Sequence, residues 1–368
     1  MKIICSKADL INSVNIVMKA VPTNTTISIL NCILIDATEE VIRFVANDGD
    51  LGIETIVKGN IIEKGMIAID AKTLNEVVRS LPEVDITIDV DDNQNVKVIY
   101  GKSKFEINGE KGDSFTMIPY IEKQNSVILS QLTLKDIIRQ TIFSIGINEN
   151  NKVLRGIHFL INEDNLKVSA LDGHRIAIRN VKLKDNYGNL EAIIPGKALN
   201  EIVKILNGGA DDNVNIFFTE NQALFEFEDT KVVTRLIEGK FFDVDKMTSY
   251  DYETNILINR KDFIDCLSRS MLFSKEGNKK PIVIDINSER LRLYVNSNLG
   301  SMDEEISIEM QGRNLEIGFN PKFLSDAVKV IDDEKIKIYF VNSKSPCYIR
   351  DDDNTYTYLI LPINFNKE

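Results

Sequence analysis

The stretch AKTLNEVVR (residues 71–79) decides the fold, because it occurs three times. It returns as GKALNEIVK (196–204) and as PKFLSDAVK (321–329), so the leading lysines Lys72, Lys197 and Lys322 lie 125 residues apart at each step. In the first copy Leu74, Val77, Val78 and Leu81 fall at helical spacing and fill one side of a helix. Lys72 and Arg79 are seven residues apart, which is 700° of rotation, so they share the opposite face to within roughly 20°. The same spacing joins Lys197 to Lys204 and Lys322 to Lys329.

Working outward, each copy is preceded by a second recurring element. ILIDATEEVIRFVANDG (33–49) parallels IHFLINEDNLKVSALDG (157–173), and IVIDINSERLRLYV (282–295) is a looser third copy. Each alternates apolar residues, turns through a polar stretch and alternates again, which is the pattern of a β-hairpin. Helical spacing also precedes each hairpin, over residues 8–20, 132–144 and 261–273. A period near 125 is far too long for a solenoid repeat. The chain therefore reads as three tandem α+β domains, with polar boundaries placing them at 1–125, 126–252 and 253–368. The helices repeat cations on their polar faces, Lys135 with Arg139 and Lys261 with Arg269 included, and such a face suits sequence-blind contact with phosphates. Solvated helix faces also carry lysine, and Lys72 with Glu76 has the spacing of an ordinary helix pair.

The 368 residues carry 44 Lys and Arg against 56 Asp and Glu, a net charge of −12. That balance argues against coating nucleic acid by bulk attraction, while leaving room for a local basic surface. No apolar run approaches the ~20 residues of a membrane span, and the start lacks a signal-peptide core, so a cytoplasmic protein is expected. Cys5, Cys32, Cys266 and Cys347 are widely spaced and read as reduced thiols.

Within this frame VLRGIHF (153–159) and VSALDGHRIA (168–177) resemble the second domain of the bacterial sliding-clamp family, the β subunits of DNA polymerase III. YLILPINF (358–365) resembles the closing strand of that family, and ILNCILID (29–36) a strand of its first domain. The resemblance spans the whole chain. It implies a head-to-tail homodimer forming a ring, with helices inside, sheets outside and double-stranded DNA threaded through without base recognition. It also implies a cleft that docks peptides of the replicative polymerase subunit, the clamp loader and other proteins with clamp-binding motifs. Carried over position by position, the cleft comprises Leu154, Leu171, Gly173, His174, Arg175, Ile176, Phe242, Lys246, Met247 and Pro346, with Leu359, Ile360, Leu361, Pro362, Ile363 and Asn364. DNA contacts fall on Asn24, Lys72, Asn148, Lys152 and Val153, to which the repeat adds Lys197 and Lys322. Dimer contacts fall on Phe105 and Ile107 of one chain and on Met271 and Leu272 of the other. The chain departs from the family at Asn24 and Lys246, where arginine is usual, and at Phe242, where proline is expected and the ring should narrow or reshape that end of the cleft. Leu-Pro-Ile-Asn closes the chain where Met-Pro-Met-Arg is frequent. Asn24 keeps an alternative open, a clamp-like peptide-docking scaffold without a DNA-tethering role.

Enzymatic readings fare worse. Asp172-Gly173-His174 could orient a histidine, but no Gly-x-Ser-x-Gly elbow accompanies it, and Asp48-Gly49 at the matching place reads first as a turn. His158 lies in an alternating strand and reads as packed or surface histidine. The acidic runs 89–92, 211–212 and 351–353 lack the ligand spacing of a calcium loop and read as solvated hairpin turns. Phosphate-binding glycine loops are absent. Neither a catalytic set, a metal site nor a cofactor is expected.

Overall fold

The computed structural model describes residues 1–124, 126–147, 149–248, 251–274 and 281–365. Chain contacts group it into two compact units, Met1–Leu134 with Lys197–Leu236 and Lys135–Gly196 with Ile237–Glu368. The first unit is built on a 13-stranded sheet. Its order begins Ser126–Ser130, Asn213–Phe218, Gln222–Phe227 and Thr230–Arg235, then passes directly to Leu51–Val57, Ile42–Asn47, Cys32–Asp36 and Met66–Asp70. Ser103–Lys111, Asn95–Tyr100, Asp85–Val90, Lys2–Ser6 and Asn60–Glu63 complete it. At the join between repeats Val232 lies opposite Ile53 in antiparallel register, and the buried hydroxyls of Thr55 and Thr230 are 2.9 Å apart. Helices α1 (Lys7–Val17) and α2 (Ala71–Ser80) pack together, Leu10, Val14 and Val17 being buried from one and Leu74 and Val78 from the other. Both begin at side-chain caps: Ser6 accepts from the Asp9 amide at 3.1 Å and Asp70 from the Thr73 amide at 2.8 Å, each satisfying a donor the helix leaves open.

Helices α3 (Gln131–Arg139) and α4 (Gly196–Ile205) contain the dividing points of the two units. The second unit adds α5 (Val244–Thr248), α6 (Arg260–Ser270) and α7 (Pro321–Lys329) to a 12-stranded sheet. That sheet runs Asn189–Pro195, Gly156–Asn162, Asn165–Leu171, Arg175–Lys182, Tyr356–Ile360, Cys347–Arg350 and Lys335–Phe340. It continues through Thr254–Asn259, Gly300–Gln311, Arg290–Ser297, Ile282–Ile286 and Leu315–Phe319. Its core packs Phe263, Cys266 and Leu267 of α6 and Leu324, Ala327 and Val328 of α7 against Ile256, Leu293, Phe319, Ile338 and Tyr358. Each Leu, Ile, Val or Phe side chain among them, fully buried, contributes roughly 1.5–3 kcal/mol.

The three expected hairpins are present, but the three preceding helices are shorter than their apolar spacing suggests. Each ends early and is followed by a short 3₁₀ turn, at Met18–Ala20, Ile142–Ser144 and Met271–Phe273. Side-chain hydroxyls explain two of the breaks, since Thr141 donates to the Ile137 carbonyl at 2.6 Å and Ser270 to that of Leu267 at 2.7 Å; such back-bonding weakens the last turn. Asp211 and Asp212 occupy the loop between α4 and its following strand, not a hairpin turn, and Asp212 there accepts from the Gly209 amide at 2.7 Å. All four cysteines are buried and unbridged. Burial pushes the Cys32 thiol up to about 11 and those of Cys5 and Cys266 to about 12, so they stay protonated and inert.

Candidate functional site

A groove of the second unit, about 450 Å³, has apolar walls from Leu171, Ile176, Met247, Pro346, Leu359 and Leu361, a size and lining suited to a few side chains of a ligand. Two paired strands supply its floor, Ile176 lying opposite Leu359. Strand alternation puts Leu359 in the groove and turns Ile360 to the other face, where it joins the α6–α7 core. Of the expected cleft residues, Gly173, His174, Arg175 and the six apolar ones line the groove. Leu154 lies in the buried cluster with Leu171, Ile176 and Leu359. Pro362, Ile363 and Asn364 run on past the groove, as the Leu361 amide bonds the His174 carbonyl at 2.9 Å and the Ile363 amide that of Gly318 at 2.8 Å. Phe242 is not among the residues lining the groove and packs edge-on against Phe241, and Lys246 pairs with Asp243 at 2.8 Å.

Arg175 is 8 % exposed. Its Nε donates to Asp172 at 3.0 Å and its NH1 to Asp326 of α7 at 2.7 Å, while the guanidinium plane covers Phe323 at 4.5 Å and Phe143 at 5.4 Å. Asp326 also accepts from Lys322 at 2.9 Å. Asp172 takes the amides of His174 and Arg175 at 2.8 and 2.9 Å. The aspartate therefore shapes a turn and anchors an arginine; the His174 ring lies stacked over Phe323, 5.6 Å between centroids. Sequence reading missed Asp172, Lys344 and Ser345 as lining residues and Asp326 as the partner of Arg175. The one available signal was Asp326 standing four residues after Lys322 on α7.

His158 is buried and stacked on Phe241 at 4.5 Å. Its Nε2 meets Glu191 at 2.9 Å and its Nδ1 meets Ser169 at 3.4 Å. Lys167 ties Asp245 of α5 at 2.6 Å. Burial, outweighing the opposing pull of Glu191, holds the His158 imidazole below its ordinary 6.5. The unfolded chain then binds a proton that the folded chain does not, so this contribution to stability is present above pH 6.5 and fades as pH falls through and below it. Urea midpoints measured between pH 7.5 and 5 should fall for the natural chain and fall less for His158→Phe; parallel curves would remove His158 as the source.

The expected DNA residues are unevenly placed. Asn24 and Lys72 are exposed, and no ion pair is found for Lys72 among the described residues. Lys197 is paired with the nearly buried carboxylate of Asp48 at 2.7 Å, and Lys322 with Asp326. Arg139 and Arg269, counted among the repeated helix cations, are likewise held by Asp332 and Glu304. Lys152 is exposed, whereas the Val153 side chain is buried beside Gly239 in the cluster beneath the groove. Asn148 lies outside the described residues. Phe105 and Leu272 are exposed, and Ile107 and Met271 half-buried. Ser103 to Asn108 pair with Asn95–Tyr100 on one side only, and Gly300 to Ser307 with Arg290–Ser297 on one side only, among the described residues.

No group of three or more His, Cys, Asp and Glu side chains is arranged to hold a metal among the described residues, and no described helix is long and apolar enough to cross a membrane. Repeated α+β units, one of them with an apolar groove at a strand end, define a protein of the DNA-clamp type. The DNA polymerase III beta subunit matches in three consecutive parts: its N-terminal domain over residues 1–119, its central domain over 128–243 and its C-terminal domain over 249–364. The beta sliding clamp of Staphylococcus epidermidis is 32% identical over 364 residues, covering 96% of each chain. A putative DNA polymerase III beta subunit from Eubacterium rectale superposes with a TM-score of 0.96 at 52% identity, over 99% of this chain and 100% of that one. The DNA polymerase sliding clamp of Bacillus subtilis gives 0.95 at 31% identity, over the whole of both chains. The chain belongs to the DNA polymerase III beta subunit family, the bacterial β sliding clamps.

Proposed function

We propose that this chain is a DNA sliding clamp that holds a polymerase on its template by topology and does no chemistry of its own. Two copies join head to tail into a ring through which duplex DNA slides in the cytoplasm, each copy contributing domains at 1–125, 126–252 and 253–368. The replicative polymerase, the clamp loader and other partners dock linear peptides in the groove between Leu171 and Leu361. The observation that carries this reading is that groove, apolar at its base and set at a strand end, in a chain of this family. One-sided strand pairing at Ser103 to Asn108 and at Gly300 to Ser307 favours ring closure by strand addition, with Phe105, Ile107, Met271 and Leu272 as flanking apolar contacts. The scaffold alternative rests on Asn24 alone, and the family does not favour it.

Topology and affinity separate cleanly on DNA of different ends. Loaded by its cognate loader onto a nicked circle, the protein should stay bound through a salt wash, and cutting the circle once should release it within the time needed to slide off. Equal retention on circular and linear DNA would mean that it binds and does not encircle.

A further inference from the structure

Strand alternation divides the sheet of the third repeat between two faces. Ile338, Ile349 and Tyr358 turn into the core with α6 and α7, and Tyr339 turns the other way, into the cluster that holds Leu171 and Leu359. Arg350 follows Ile349 and lies opposite Thr357, two residues before Leu359, so it shares the face of Tyr339. There its guanidinium stands 4.7 Å from the Tyr339 ring centre and 5.8 Å from that of Tyr252, and the two rings are 4.6 Å apart. Tyr339 is buried and Tyr252 exposed. Ile338 pairs with Ile349, and the next residues outward on both strands, Lys337 and Arg350, are cations. Like charges side by side across a ladder cost stability, and one of these two is left uncompensated. Asp352 takes Lys337 at 2.5 Å, Asp351 takes the Thr355 hydroxyl at 2.5 Å and Glu253 takes Arg313 at 3.5 Å. Among the described residues no carboxylate pairs with Arg350.

We propose that Arg350, braced by Tyr252 and Tyr339, is a second contact, outside the groove, for a carboxylate on the folded body of the replicative polymerase subunit. The proposal rests on the reading that this polymerase docks on the chain through a peptide in the groove. A guanidinium stacked on aromatic rings keeps its edge N–H groups free to grip both oxygens of a carboxylate. The rings also fix its orientation before a partner arrives, which lowers the ordering cost of contact. Two residues of strand place Arg350 roughly 7 Å back from Leu359 on the same face, so a protein anchored by its peptide brings its body over this cation. That tether makes the second contact intramolecular, and a grip too weak to hold alone then adds to the affinity. The run Asp351 to Asp353 repels a polyanion such as nucleic acid, which leaves an isolated carboxylate as the anion that fits.

The test sets the full-length protein against two immobilised ligands, the cognate replicative polymerase subunit and a synthetic peptide of that subunit's own clamp-binding segment. Arg350→Gln should weaken polymerase binding roughly five- to tenfold at low salt, the scale of one partly exposed charge-assisted contact, and the gap should close at high salt. Its affinity for the peptide should match that of the natural chain. Arg350→Lys should fall between the two, because the charge remains and the fork is lost. Tyr252→Ala should lose part of the polymerase affinity and Tyr252→Phe none, because the ring is what braces the cation. Unchanged polymerase binding by Arg350→Gln, with the peptide bound as before, overturns the proposal and leaves the groove reading standing. Equal losses for polymerase and peptide overturn it too, since Arg350 would then act through the groove. Should Arg350→Gln fail to fold, Arg350→Lys decides in its place, and natural polymerase affinity in that variant overturns the proposal. A folded natural chain that binds neither ligand sinks the groove reading and the proposal together.

Discussion

Replacing Arg175 by methionine is expected to lower the stability of the folded chain by about 3–5 kcal/mol, the cost of removing one partner from a buried ion-pair set. Methionine replaces much of the volume over Phe143 and Phe323, so the loss reports charge and hydrogen bonding more than packing. Asp172 keeps the amides of His174 and Arg175, and Asp326 keeps Lys322, but each loses the donor that holds it at the edge of the core. The position joins Leu171 at the end of one strand to α7, elements contributed by the second and third repeats. Arg175→Lys should recover only part of the loss, because an ammonium does not serve two carboxylates as a guanidinium fork does. Asp326→Asn added to Arg175→Met should recover part as well, because it removes one stranded charge. Urea unfolding followed by the near-ultraviolet signal measures all three variants. A loss under about 1 kcal/mol for Arg175→Met would place the interaction with ordinary surface pairs and refute its role as a buried anchor.

Arg175 also marks where sequence reading ran out. The threefold helix, its register and the hairpins are visible in the chain because they depend on neighbours a few residues away: Lys72, Lys197 and Lys322 each follow a helix start, and Asn320 with Pro321 begins α7 as a cap and a first-turn proline. Partnerships across the chain leave no such trace. Alternation identifies Thr230–Arg235 and Tyr356–Ile360 as strands, yet it does not say that the first continues the sheet of Leu51–Val57 or that the second pairs with Arg175–Lys182. Arg175 finds Asp326 at a separation of 151 residues and Lys197 finds Asp48 at 149, so a count of lysines on helix faces overstates the charge left for a phosphate. The cleft was legible in outline through the family's residues, but strand alternation and the course of the last residues decide that Leu359 and Leu361 face it and Ile360 does not.

Those long-range pairings turn the reversal of Lys72, Lys197 and Lys322 to glutamate into a graded experiment. If all three meet the DNA backbone, their loss should reduce the slope of log affinity against log salt by about 3 per protomer, near one for each phosphate contact, and shorten processive products with cognate loader and polymerase. The three lysines should not behave alike. Among the described residues no carboxylate pairs with Lys72, so Lys72→Glu should remove about one unit of slope and leave thermal stability unchanged. At Asp48 burial pushes the carboxyl up, but Lys197 and the amides of Leu51 and Asp50 outweigh it and hold the group below its ordinary 3.8. Lys197→Glu sets a second carboxylate against that one, so it should lower stability as well as DNA retention, most at pH 7 and less as pH falls toward 4 and the pair takes up protons. Lys322→Glu should disturb Asp326 and through it Arg175, so its DNA phenotype is interpretable only beside the urea curve of the same protein. Normal product length and an unchanged salt slope in a folded triple variant would show that these helix faces do not meet DNA; the repeat would then have preserved the lysines for Asp48 and Asp326, and the phosphate contacts would have to come from Asn24, Lys152 and their neighbours.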